Sequence, residues 1–251
     1  MSGTPFAPSH AVPVERQRAL RAIAAAIGAQ LAAGIALALL LTRVLGIDAA
    51  FGLHAAWLLA VGAAVVAWLA AKHWNGTWFG AANQVTLARG VLTLLLAALL
   101  GVPSGATVAT LAVALALLAV VLDGVDGRLA RRRGEASAFG ARFDMETDAL
   151  MILVLAALAW QHGKAGAWIL LAGGLRYVFV AASLALPWLA RPLPASKRRQ
   201  TDCVVQIATL IACLAPFIPP PASAGVALAG LVALGYSFAV DVLWLARRAH
   251  A

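Results

Sequence analysis

Six of the ten acidic residues of this chain fall in one window, D-G-V-D-G-R-L-A-R-R-R-G-E-A-S-A-F-G-A-R-F-D-M-E-T-D, which runs from Asp123 to Asp148. They are Asp123, Asp126, Glu135, Asp144, Glu146 and Asp148. Asp123 and Asp126 stand at i, i+3 and Asp144 and Asp148 at i, i+4, so each pair shares one face of a helix. The two pairs face each other across a helix–link–helix. Together they offer up to about eight hard oxygens, a donor set suited to a pair of divalent cations. Two such ions about 3.5–4 Å apart can clamp a pyrophosphate and polarise its phosphorus. Arg131 can hold a phosphate as a fork of donors. A carboxylate left unsaturated by metal can take the proton of an attacking hydroxyl. Gly124, Gly127 and Gly134 lie in or near the link, with Gly140 at the start of the second helix, where backbone and ligand can approach closely.

The elements that must position these acids are membrane helices. Hydrophobic residues make up 63% of the chain and charged residues 12%, with a mean hydropathy of +0.91. Soluble domains hold roughly 45–50% apolar residues. Apolar runs at 22–42, 55–72, 84–101, 106–127, 143–160, 166–187, 203–218 and 223–245 each approach the roughly 20 residues that cross a bilayer as a helix. Their connections carry turn chemistry, as in V-P-S-G at 102–105 and I-P-P-P-A-S at 218–223. Sixteen of the 19 Lys and Arg fall on one side of this topology, leaving Arg43 and Lys164 opposite and Arg176 inside a helix. The positive-inside rule therefore puts both termini and the aspartates in the cytoplasm. The net charge of +9 reflects this topology. Basic loops this short and dispersed exclude a nucleic-acid partner. Residues 1–15 are polar and Pro-containing, unlike a signal peptide. No two of the five histidines stand at metal-ligand spacing, and Cys203 and Cys213 share one helix, which disfavours a disulfide. Trp74, Trp78 and Phe79 suit an interfacial aromatic anchor.

The pattern D-x2-D-G-x2-A-R-x8-G-x3-D-x3-D, filled here by Asp123, Asp126, Gly127, Ala130, Arg131, Gly140, Asp144 and Asp148, resembles the signature of the CDP-alcohol phosphotransferase (CDP-alcohol phosphatidyltransferase) family. A-N-Q-V-T-L-A-R at 82–89 is similar to the P-N-x-x-T-x-x-R entry to that family's first helix, with Ala82 where the family has proline. The resemblance covers roughly residues 80–245. It implies an all-α polytopic transmembrane helix bundle, a six-helix core plus two N-terminal transmembrane helices. The division is then 1–21 cytoplasmic segment, 22–79 added helices, 80–245 transferase domain and 246–251 cytoplasmic tail.

The resemblance further implies transfer of a phosphatidyl or related phosphoalcohol group from a CDP-linked donor, commonly CDP-diacylglycerol, to an acceptor hydroxyl with release of CMP. Asp123, Asp126, Asp144 and Asp148 then hold two Mg²⁺ ions (Mn²⁺ being the alternative), and Asp148 is also the general base. Asn83, Thr86, Gly127, Ala130, Arg131 and Ser137 are expected at the CDP moiety, and Arg89 is expected to face the nucleotide pocket beside Asn83 and Thr86. For Asn83 and Thr86, helix capping is the other reading. A phosphorylated acceptor would call on Arg142, Arg176, Lys197 and Arg198. Each has a plainer alternative: pairing with Glu146 for Arg142, a structural ion pair for Arg176, a topology signal for the 197–199 cluster. Arg132 and Arg133 are expected to serve topology and lipid headgroups. Asp241 is expected to pair with Arg247 or Arg248.

The expected setting is a bacterial inner membrane, with membrane lipids as neighbours and a homodimer left open. A UbiA-type prenyltransferase also binds pyrophosphate through Asp-rich motifs, but the second such motif is absent here. A non-catalytic scaffold of the same fold is the remaining alternative, and the intact aspartates argue against it.

Overall fold

The computed structural model of the chain describes residues 13–74, 80–133, 137–194 and 196–249, with the side chains of 13, 14, 125–133 and 138 outside the described set. Eight α-helices occupy these residues: α1 (Pro13–Leu45), α2 (Ala49–His73), α3 (Ala81–Ala98), α4 (Ala106–Arg133), α5 (Ala138–Gln161), α6 (Leu171–Ala185), α7 (Lys197–Leu214) and α8 (Ala222–Ala249). Single 3₁₀ turns at Ala167–Leu170 and Pro187–Ala190 lead into α6 and out of it, and no strand is present among the described residues. Each helix contains or overlaps one of the eight apolar runs.

Several ends extend past the apolar runs, while α3, α6 and α7 stop short of theirs at Ala98, Ala185 and Leu214. α1 starts at Pro13, which needs no N–H partner in a first turn, with Glu15 favoured there by the helix dipole. α4 continues to Arg133, so the signature's first half is helical rather than loop. α7 begins at Lys197, which places Lys197, Arg198 and Arg199 on a helical turn. Polar first and last turns extend helices beyond their apolar spans.

Among the described residues, six helices are long and apolar enough to cross a membrane: α1, α2, α3, α4, α6 with its 3₁₀ lead-in, and α8. α5 and α7 miss that measure because charges crowd their first turns: Arg142, Asp144, Glu146 and Asp148 in α5, and Lys197 to Arg199 with Asp202 in α7. Their remaining turns are nonetheless well enclosed in the bundle. Leu155, Ala156, Leu158, Leu210 and Leu214 are fully buried. α5 packs against α3, α6 and α7, while α4 packs against α3. Side chains such as Trp57, Leu184 and Phe217 remain exposed on the outside, as a lipid-facing surface requires.

Between helices in lipid, close packing replaces the hydrophobic effect, and small residues make it close. A Cβ on Gly173 of α6 would collide with the backbone of Leu153 on α5. One on Gly62 of α2 would fall 2.5 Å from Leu94 Cδ1 of α3. Trp74 does not act as an interfacial anchor: it is 3% exposed and stacks edge-on against Phe139 of α5, with centroids 5.4 Å apart. It joins α1 and α2 to α3 and α5. Trp78 and Phe79 lie outside the described residues.

At the end of the bundle away from the aspartates, side chains satisfy backbone groups that helix ends leave open. Lys164, expected with Arg43 on the side opposite the other basic residues, is 8% exposed and donates to the carbonyls of Ala215 (2.8 Å) and Ile218 (2.7 Å) after α7. Ser223 at the start of α8 donates to the Lys164 carbonyl at 2.7 Å. Gln161 donates to Val102 O at 2.9 Å and accepts from Gly101 N at 2.7 Å. Replacing Lys164 by Met is expected to remove about 1–3 kcal/mol, the cost of buried carbonyls left without donors. Thermal unfolding of the purified protein in detergent checks this; an unchanged midpoint would deny Lys164 its structural role.

Candidate active site

Three helices meet at the aspartates. α4 arrives with Asp123 near its end, and α5 departs with Asp144 and Asp148 one turn apart. α3 lies beside both and presents a polar stripe of Asn83, Thr86 and Arg89 from an otherwise apolar buried face. The start of α5 is fixed by Ser137, whose hydroxyl accepts from Gly140 N at 3.0 Å. Gly140 also sets the α3–α5 spacing, since a Cβ there would lie 2.6 Å from Asn83 Oδ1.

Arg89 is the centre of the cluster. It is 1% exposed, and its Nη1 lies 2.8 Å from Asp123 Oδ1. The same nitrogen pairs with Asp144 Oδ1, while Nη2 pairs with Asp148 Oδ1. Arg89 thus turns into the aspartates rather than towards a separate nucleotide wall. A guanidinium presents a rigid fork of donors, which allows one side chain to join three carboxylates from two helices. Thr93 donates to the Arg89 carbonyl at 2.9 Å one turn deeper. The carboxylates differ in access: side-chain exposure is 38% for Asp123, 41% for Asp144 and 19% for Asp148. Asp148 is the recessed one, and the Cys203 thiol of α7 donates to its second oxygen at 3.6 Å.

Cys203 was not evident as a site residue from the sequence. Helical phase is the signal that could have found it, because Cys203, Gln206, Ile207 and Leu210 follow one stripe of α7 and all but Cys203 are fully enclosed.

Asp126, Gly127, Ala130 and Arg131 lie on the last turns of α4, and their side chains are outside the described set, as are those of Arg132 and Arg133. Asn83 and Thr86 are 5% and 4% exposed. Neither caps α3, whose N-cap is Gly80; the Thr86 hydroxyl donates back to Ala82 O at 3.1 Å. Ser137 has a cap role of its own at α5.

The four basic residues considered for an acceptor do not gather at the aspartates. Arg176 pairs across to Glu146 through both its Nη2 and, at 3.4 Å, its Nε, which ties α6 to α5. Glu146 therefore meets Arg176 rather than Arg142, which is exposed. Arg198 points to α8, donating to Ser237 O at 2.6 Å and pairing with Asp241 at 2.5 Å. Arg199 reaches the same Asp241 at 3.3 Å. Asp241 thus pairs with α7 and not with Arg247 or Arg248. Arg247 is six residues on and faces away around the helix, while Arg248 lies over the Trp244 ring at 4.2 Å. Lys197 is exposed.

Oxygens of Asp123, Asp144 and Asp148 all lie within 4.8 Å of one another. A donor set of carboxylate oxygens only, partly open to solution, fits a hard divalent cation. Arg89 engages the same three side chains, so a cation arriving there shares their charge with the guanidinium. Arg89→Gln is expected to lower the stability of chelator-treated protein by about 2–3 kcal/mol, less than the 3–5 seen for fully buried pairs because these acids are partly solvated. Millimolar Mg²⁺ is expected to raise the melting midpoint of the variant more than that of the wild type. Equal shifts would show that cation and guanidinium do not share these oxygens.

Comparison with curated proteins and with solved structures gives no match. Residues 79–241, from just before α3 to the later turns of α8, match the family model described as CDP-alcohol phosphatidyltransferase. α1 and α2 lie outside the matched region. The match includes Arg89, Asp123, Asp144, Asp148 and Cys203, the residues whose side chains converge in the structure. A bundle with six helices apolar enough to span a membrane, and an acidic cluster able to hold a divalent metal, is what such a transferase needs. The chain belongs to the CDP-alcohol phosphatidyltransferase family.

Proposed function

We propose that the protein is an integral membrane enzyme of phospholipid biosynthesis that moves a phosphatidyl group from CDP-diacylglycerol to the hydroxyl of an acceptor alcohol and releases CMP. The observation that carries this reading is the convergence of Asp123, Asp144 and Asp148 on Arg89 where α3, α4 and α5 meet. A lipid whose tails lie in the bilayer presents its pyrophosphate near such helix ends. The family match weighs against a prenyltransferase.

Asp123, Asp126, Asp144 and Asp148 would hold Mg²⁺. When bound, the metal supplies positive charge that offsets the pyrophosphate and polarises the phosphorus under attack. The chain's own residues supply the remainder. Arg89 keeps the carboxylates together and contributes a fixed positive charge beside the transferred phosphate. Asp148 is the least solvated of the three and accepts the proton of the acceptor hydroxyl. The hydroxyl oxygen then forms its bond to the β-phosphorus, and the bond from that phosphorus to the CMP oxygen breaks with its electron pair. Cys203 holds the second Asp148 oxygen and so orients the carboxylate. Asn83, Thr86, Ser137, Gly127 and Ala130 suit the nucleotide end, with Arg131 as a phosphate fork. The uneven distribution of Lys and Arg favours an inner membrane with the site and both termini in the cytoplasm.

Arg176 and Arg198 are engaged by Glu146 and Asp241, so a phosphorylated acceptor would have to draw one of them away. The test is CMP release from CDP-diacylglycerol by purified protein with Mg²⁺ against a panel of acceptor alcohols, phosphorylated and not. Acceptor-dependent CMP is expected, and Asp148→Asn is expected to lower it about 10²–10⁴-fold. Release that survives the substitution would remove Asp148 as the base. No release with any acceptor, from folded protein, would overturn the CDP-diacylglycerol reading.

A further inference from the structure

Most buried or half-buried cations of this bundle are answered by the protein itself. Arg89 meets three aspartates, Arg176 meets Glu146, and Arg198 and Arg199 meet Asp241. Lys164 donates to two open carbonyls. One corner differs. Arg18 and Arg21 of α1, Lys72 of α2 and Arg142 of α5 are all exposed. Among the described residues none of the four pairs with a carboxylate, Glu15 in the first turn of α1 included.

The fold gathers these four from three distant segments. Ala19 and Ile23 of α1, Ala70 and Trp74 at the end of α2, and Phe139 and Phe143 at the start of α5 form one apolar cluster. Arg16 ties the two added helices together at the same level. It donates to Ala71 O at 3.0 Å, at the negative end of α2. Arg142 lies in the turn between Phe139 and Phe143. Arg18 and Arg21 stand about 100° and 160° around α1 from the buried Ala19, so both turn outward from the cluster.

Their height is that of phospholipid headgroups. The apolar run 22–42 of α1 makes about 31 Å of helix, which matches a hydrocarbon core roughly 30 Å thick. Arg21 then stands at the edge of that core. Arg18 lies about 4.5 Å farther out, within an interfacial layer of about 5–8 Å. Lys72 closes the apolar run of α2 and lies over the exposed Trp68 ring at 5.0 Å, a pairing suited to the interface.

We propose that this corner binds the headgroups of anionic phospholipids of the surrounding bilayer. Cations near such a surface are attracted by its negative potential, and here no carboxylate of the protein competes for them. They are spread along a rim instead of converging on one point, which suits several headgroups in a layer rather than a single soluble phosphate. Arg18, Arg21 and Lys72 belong to the two helices outside the family match, so the added pair brings this surface with it. Nothing in this depends on which donor the enzyme uses.

The experiment releases the full chain from nanodiscs of equimolar phosphatidylglycerol and phosphatidylcholine and counts the retained lipids by native mass spectrometry. Phosphatidylglycerol is expected to be retained in preference. Arg18→Gln, Arg21→Gln and Lys72→Gln together are expected to lower that preference about fivefold or more, the equivalent of at least one cation near an anionic surface. Should that variant fail to fold, Arg21→Gln with Lys72→Gln gives the same readout with a smaller loss. Lys197→Gln, Arg247→Gln and Arg248→Gln remove the same charge from α7 and α8 and are expected to leave the preference in place. No preference in the wild type would overturn the proposal. So would equal loss in the two triple variants, or a preference that neither alters. Displacement of the retained phosphatidylglycerol by millimolar inorganic phosphate would assign the cluster to a soluble anion and overturn the lipid reading.

Discussion

A guanidinium that is 1% exposed inside a bundle of apolar helices persists only where carboxylates meet it, and Arg89 meets three. The dependence is mutual. Asp123, Asp144 and Asp148 lie close enough to repel one another, and the cation between them relieves that repulsion. Because these residues come from α3, α4 and α5, the pairing fixes the relative height and rotation of three helices at once. An error of one residue in the phase of any of them would turn its charge by about 100° and leave it in hydrocarbon. Gly140 and Ser137 serve the same constraint at short range. One permits α3 and α5 to approach, and the other starts α5 where Asp144 and Asp148 face inward.

The outer helices are joined to this base by different means at the two ends. At the aspartate end the links are ionic: Glu146 to Arg176 brings in α6, and Arg198 and Arg199 to Asp241 join α7 to α8. The thiol of Cys203 connects α7 to Asp148 itself. At the opposite end the links are side chains on open carbonyls, from Lys164 and Gln161. Between the ends the contacts are apolar and small. This division follows from the solvent: ion pairs survive near headgroups and water, while the middle of a bilayer rewards close packing and complete backbone bonding.

Much of this was legible in the sequence, and what was not has a common cause. Long apolar runs located all eight helices, because a bilayer leaves little alternative to a run such as 106–127. Of the aspartates singled out by their i, i+3 and i, i+4 spacing, Asp123, Asp144 and Asp148 converge in the fold. The fourth, Asp126, has its side chain outside the described residues. Helix ends were harder to see. Lys197, Arg198 and Arg199 resemble a loop in hydropathy, yet Asp241 across the bundle draws Arg198 and Arg199 onto one helical turn. Partner choice was least visible. Arg176 with Glu146, Lys164 with the end of α7 and Trp74 with Phe139 join residues 30 to 65 positions apart in the chain, and hydropathy carries no information about which helices become neighbours. Cys203 was hidden for the same reason, since only the approach of α7 to α5 gives a lone thiol a carboxylate to meet.

The two N-terminal helices, outside the family match, show how a membrane helix pair is held to a core without charges at the contact. They contribute nothing to the aspartate cluster among the described residues. In lipid they gain little from apolarity alone, so their attachment to the core depends on close packing at Gly62 and Gly34 and on Trp74 buried against Phe139. Those contacts secure α1 and α2 to α3 near Leu94 and Val91, and to α5 at its start. Between the two anchorages the helices do not close on Gly90, which has no side chain to meet them, and an apolar space remains there between α1, α2 and the core. The same packing that holds α1 and α2 in place thus leaves an apolar crevice between them and the core.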